Sequence, residues 1–226
     1  LDRRMLVAAA SSPRFAPLTC AHAVDRWSAR PLIQFSALTL RTPGGPGSPV
    51  MVVFRGTDRS WQGWAEDAAM GLSFPLPGHR AAARYLAFAA ERHPGPLFVM
   101  GHSKGGNLAE YAAAHARAPV RARLGAVYNH DGPGFPDDAL DQFSPVRHIF
   151  RKTVPQSALV GLLMSSPRRA RVVRATTNGI LAHYPYTWRV EDGDFVDCPL
   201  NKDARGFDTR LTRWLAAHPR DEAELL

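Results

Sequence analysis

The stretch that most restricts how this chain can fold is residues 97–118. Four apolar residues, Leu97-Phe98-Val99-Met100, run into Gly101-His102-Ser103-Lys104-Gly105, and an alanine-rich segment follows that ends before Pro119. Bounded by Pro94-Gly95-Pro96, the apolar run reads as a buried strand, and Lys104 to Ala118 reads as a helix. A strand that turns at once into a helix packed back onto it belongs to a parallel sheet. Glycines at 101 and 105 permit that close packing, and the serine between them is held in a strained turn at the sheet's carboxyl edge. Ser103 is therefore the candidate nucleophile, with a helix N-terminus beneath it that favours developing negative charge. A G-x-S-x-G by itself is short enough to arise by accident, and an ordinary glycine-rich turn is the alternative. The flanking strand and helix argue against that alternative.

The rest of the chain repeats the alternation. Ile33 to Leu40 and Val50 to Phe54 read as a hairpin of strands around the Pro43–Pro49 loop, and Ala81 to Arg92 as a helix. Strands are expected at Leu124 to Asn129, Arg147 to Val154 and Arg171 to Thr177. A turn at Asp192-Gly193 lies between Thr187–Val190 and Asp194–Cys198, and a helix is expected over Asp203 to Ala217. This order predicts one α/β domain spanning residues 1–226, with a mostly parallel central sheet and helices on both faces.

Composition excludes several classes. No apolar run approaches the length of a membrane span, and Cys20 and Cys198 form neither a disulfide framework nor a metal-binding spacing. A reduced compartment, hence the cytoplasm, is the expectation, and no metal or cofactor is called for. The formal charge of +8 is concentrated. From Gln142 to Val190 there is no acidic residue, against Arg147, Arg151, Lys152, Arg168, Arg169, Arg171, Arg174 and Arg189. A solvated arginine-rich face is the plainer reading of that stretch. The sharper one is contact with anionic substrates or an anionic membrane surface. No nucleic-acid-binding motif accompanies the charge, and nothing specifies an oligomeric state.

Phe54-Arg55-Gly56-Thr57 followed by Trp64 and Asp67 resembles the oxyanion-loop segment of the class 3 (fungal-type) lipases. Ala10–Phe15, Gln34-Phe35-Ser36-Ala37, Gly101–Ala109, Asp131-Gly132-Pro133-Gly134-Phe135 and Pro155-Gln156-Ser157 resemble the bacterial Mbeg1-like family, a lipase-like group. The resemblance covers nearly the whole chain and implies the α/β-hydrolase fold. It makes Thr57 an oxyanion-hole residue, with the backbone N–H of Lys104 as second donor. Family members carry further residues before the point where this chain starts at Leu1, so a short N-terminal segment is expected to be missing. The Lys104 side chain is expected in solvent, and Arg55 with Asp67 as an ion pair supporting the loop.

The base must come from nine histidines. His22, His79 and His93 precede the nucleophile, His102 is expected to point away from it, and His115 lies in the following helix. His130, His148, His183 and His218 remain; His148 is placed at the start of a strand and His218 at the end of the last helix. Only His183 falls in a loop after a late strand, and Ala182–Trp188 resembles the family's histidine segment, though Ala182 and Tyr184 replace its Gln and Asp. The acid is less constrained, because the lipase position near Gln156-Ser157 falls in the carboxylate-free stretch. Asp131, at the end of the Leu124–Asn129 strand, is the candidate. Capping of its own turn, a role for Asp192 or Asp194, and a dyad assisted by Ser157 stay open.

These residues point to a serine esterase or lipase acting on a small-molecule ester or lipid. The alternative is a non-catalytic lipase-like module that binds lipid or protein, which has no need of a strained serine turn. Ala158 to Met164, apolar and flanked by basic residues, is read either as a short buried segment or as a lid.

Overall fold

A computed structural model describes residues 2–30, 32–57, 70 and 73–206. Seven strands form one sheet in chain order: β1 (Thr19–Ala29), β2 (Leu32–Arg41), β3 (Val50–Phe54), β4 (Leu97–His102), β5 (Leu124–His130), β6 (Phe150–Pro155) and β7 (Arg171–Val173). The expected hairpin is present, with β2 antiparallel to β3, while β3 through β7 run parallel. Strand β1, antiparallel to β2, and the preceding helix α1 (Asp2–Ser11) had no signal in the sequence. The reason lies in burial. Strand β1 is exposed along most of its length, so nothing imposes an apolar alternation on it.

Helix α2 (Pro77–Arg92) starts four residues earlier than its apolar pattern suggests, with a proline in its first turn. Helix α3 (Lys104–Ala114) is shorter than expected; His115 caps it, and the separate turn α4 (Ala118–Arg121) follows. Every residue of α3 is buried. It packs against α2 and over β3, β4 and β5, and its alanines and glycines let the backbone lie close to the sheet. The main core gathers Phe35, Val52, Phe54, Leu86, Val99, Leu108 and Val127 between these elements.

Side chains alternate along β5, so its other face presents Tyr128 and His130. His130 meets Trp188 and Phe195 edge-on at 5.8 and 6.1 Å. Those two aromatics belong to the segment carrying the small hairpin β8 (Val190–Glu191) and β9 (Asp194–Phe195), which turns at Asp192-Gly193 as expected. His148 lies in a 3-10 turn, Arg147–Ile149, rather than in the strand that follows it. A helix begins at 202–206, and the remainder of the C-terminal helix expected from the sequence lies outside the described residues.

Candidate active site

The site is assembled at the carboxyl ends of β4 and β5. His102 pairs in register with His130, so Ser103 and Asp131 leave the sheet side by side. Both turn with positive φ, 58° and 50°, and Ser103, with ψ −135°, adopts a backbone almost reserved for glycine. The glycines explain how the turn closes: a Cβ on Gly101 would come within 2.2 Å of the Gly105 backbone, and one on Gly105 within 2.2 Å of the Phe54 carbonyl oxygen. The loop after β3 crosses immediately above. A Cβ on Gly56 would approach the Ser103 Cβ to 3.1 Å, which brings the Arg55-Gly56-Thr57 backbone against the serine. Thr57 is half-buried there.

His183 sits in the 3-10 segment Gly179–His183. Its Nδ1 lies 2.7 Å from Asp131 Oδ2, with the two side chains 15% and 1% exposed. The other oxygen, Oδ1, accepts the Gly161 N–H at 3.1 Å. Burial raises the Asp131 pKa, while the contact with His183, the Lys152 charge and the Gly161 hydrogen bond pull it back down. The turn after β5 is capped by a neighbour instead, since the Gly132 N–H donates to Asn129 Oδ1 at 2.8 Å. The other acid candidates are engaged elsewhere: Asp192 forms the hairpin turn, Asp194 accepts from Arg171, and Ser157 Oγ accepts the Gly179 N–H.

One side chain departs from expectation. Lys104 is 3% exposed, and its ammonium donates to the Gln34 carbonyl oxygen at 2.9 Å and to Gln34 Oε1 at 2.6 Å. The helix start fixes the direction of this side chain, which runs down onto β2 rather than out to water. His102 has a partner that the sequence did not indicate. Its Nε2–H donates to the His183 carbonyl oxygen at 2.7 Å, and the two rings pack with centroids 4.4 Å apart. Burial and the neighbouring His183 lower its pKa to about 4, so it remains a neutral donor in the working range. Motif reading treats the residue before the nucleophile as a bystander, and only the loop's return across the sheet reveals this contact. Trp64, Asp67 and His218 lie outside the described residues; Arg55 donates to Asp25 at 3.3 Å.

The apolar segment after β6 is strapped over this edge. Val160–Leu162 forms a 3-10 turn, the Gly134 N–H donates to the Leu163 carbonyl oxygen at 2.7 Å, and Phe135 bridges Ser165. Around His183 the rim is apolar and exposed, with Ile180, Leu181, Tyr184 and Tyr186 each at least half exposed.

Among solved structures, a fungal lipase–inhibitor complex, described as a model for interfacial activation in lipases, superposes with a TM-score of 0.55. It shares 17% identity over 79% of this chain and 75% of that one. A deletion mutant of a Rhizomucor miehei lipase propeptide complex gives 0.54 at 16% identity, over 76% of this chain and 62% of that one. The native Rhizomucor miehei complex gives 0.52 at 17%, over 71% and 58%. The chain thus spans less than two thirds of the Rhizomucor protein. No protein with a curated description matches the sequence. The likeness to lipases, with the mostly parallel seven-stranded sheet, identifies the α/β-hydrolase fold. The sequence pattern of a family matches residues 9–226, nearly the whole chain, and on that match this protein belongs to the Mbeg1-like family.

Proposed function

We propose that the protein is a serine hydrolase that cleaves carboxylic esters through a Ser103–His183–Asp131 triad and an acyl-enzyme. The observation that carries this reading is the 2.7 Å contact between Asp131 and His183 beside a serine in a left-handed strand-to-helix turn. Asp131 holds the Nδ1–H of His183, which leaves Nε2 as the acceptor for the Ser103 hydroxyl proton. The serine oxygen attacks the ester carbonyl, and the backbone N–H groups of Thr57 and Lys104 receive the resulting oxyanion. Collapse expels the alcohol, which takes its proton from the imidazolium; water then releases the acid by the same steps in reverse.

The exposed apolar rim beside His183 suits an acyl chain, and the exposed Arg174, just past the carboxyl end of β7, suits an anionic headgroup, whereas Arg151 and Arg168 both donate to the His148 carbonyl oxygen at the amino end of β6. Lys152, expected among these surface charges, is instead buried and does not contribute. The test is labelling with a fluorophosphonate probe, then hydrolysis of esters of graded chain length in neutral and anionic vesicles. The wild type should label and Ser103→Ala should not, with its melting temperature kept. Labelling that persists in the variant removes Ser103 from this role, and a wild type that never labels favours a lipid- or protein-binding module.

A further inference from the structure

Behind the acid lie two buried ionisable groups for which the proposed chemistry has no use. Glu110 stands in the middle of the alanine-rich helix α3, and Lys152 lies in β6; they are 0% and 2% exposed. Lys152 pairs in register with Asn129. The two side chains therefore leave the sheet on the same face, the face on which Asn129 abuts Gly106 of α3. The next residue of β6, Thr153, accepts the Asp131 backbone N–H at 2.8 Å. Neither Glu110 oxygen, nor Lys152 Nζ, nor Asn129 Nδ2 makes a hydrogen bond among the described residues. Lys152 is attracted to both Glu110 and Asp131, and Asn129 lies close enough to Glu110 to favour its ionised form.

Such a pair is expensive. Burial drives the Lys152 pKa down and that of Glu110 up to about 7, and the attraction between them offsets this only in part. A buried ion pair seldom stabilises a fold better than well-packed apolar residues would, so its position against the acid calls for another account.

We propose that Lys152, balanced by Glu110, is a positioning residue that holds the buried Asp131 carboxylate ionised, as an acceptor that fixes the orientation of His183. Its catalytic consequence rests on the serine hydrolase reading; the electrostatic link to Asp131 does not. The groups facing Asp131 are the His183 imidazole, the Gly161 N–H and Lys152. Glu110 acts on Lys152, and His102 packs on the His183 ring. Apart from the imidazole, Lys152 in its ammonium form is the group whose charge lowers the Asp131 pKa. Burial is already the largest influence on Asp131 and raises its pKa; without Lys152 it rises further, Asp131 takes up a proton at higher pH, and the imidazole loses its anchor.

The experiment compares wild type, Lys152→Met and the double variant Glu110→Gln/Lys152→Met, which removes both members of the pair so that neither is left buried without its partner. In protein labelled with 13C-aspartate, the Asp131 carboxyl titration should move to higher pH by about one unit in both variants. The acid limb of the fluorophosphonate labelling rate should move with it, so that labelling on that limb is about tenfold slower at fixed pH. If both midpoints stay at the wild-type value and only the melting temperature changes, the pair is scaffold and the proposal fails. A wild type that does not label overturns the hydrolase reading alone, because the carboxyl titration still decides the link.

Discussion

Ser103 and Asp131 are single residues held in backbone conformations that cost a non-glycine side chain about 1–3 kcal/mol each. They sit at neighbouring positions because His102 and His130 are in register. Asp131 bonds outward, to His183 and Gly161, while Asn129 caps the turn. Asp131→Asn therefore removes a charge without opening the turn. It should lower kcat by roughly 10⁴-fold while the thermal midpoint stays close to wild type; a rate within a few-fold of wild type would assign the acid elsewhere. The contact between Asp131 and His183 was legible in the sequence, one partner through the absence of carboxylates from Gln142 to Val190 and the other through chain order, while their roles as acid and base belong to the proposal. Lys104, His102 and Lys152 were not legible in this way. Charge and motif position say nothing of which way a long side chain runs once a helix or strand has fixed its first bond.

The elements follow a similar division. Strand β2 and helix α2 were readable from their apolar period, and β3, β4 and helix α3 from apolar or alanine-rich runs bounded by turn residues. Strand β1 and helix α1, mostly exposed, carry none. The segment 158–164 was ambiguous because an apolar run is the same whether it covers a core or a substrate. Its backbone ties to Gly134 and Phe135, and its Gly161 contact with Asp131, describe a strap rather than a free lid. Leu163 is half-buried there. Leu163→Ser should cost about 1–3 kcal/mol, seen as a fall in melting temperature of roughly 2–4 °C for each kcal/mol. A normal melt combined with activity lost only on long-chain or vesicle substrates would restore the lid.

Across the whole molecule, stability is unevenly spread. Ser103 and Asp131 grow from the centre of the sheet and its fully buried helix, whereas His183 rides on a short peripheral segment. Its own small core is Val173, Ala175, Ala182 and Trp188, braced by the Trp188 Nε1–H to the Ala182 carbonyl oxygen. A histidine held in this way can be lost without unfolding the rest. Its loop should be among the first parts of the protein to exchange amide hydrogens through local opening, and the sheet centre among the last. Activity should then vanish at a lower denaturant concentration than the far-ultraviolet circular dichroism of the helices. Two coincident transitions would mean that the histidine arm opens only with the whole fold. Where they separate, the gap measures the free energy by which the protein can be switched off while still folded, a margin set by the peripheral arm and independent of the depth of its core.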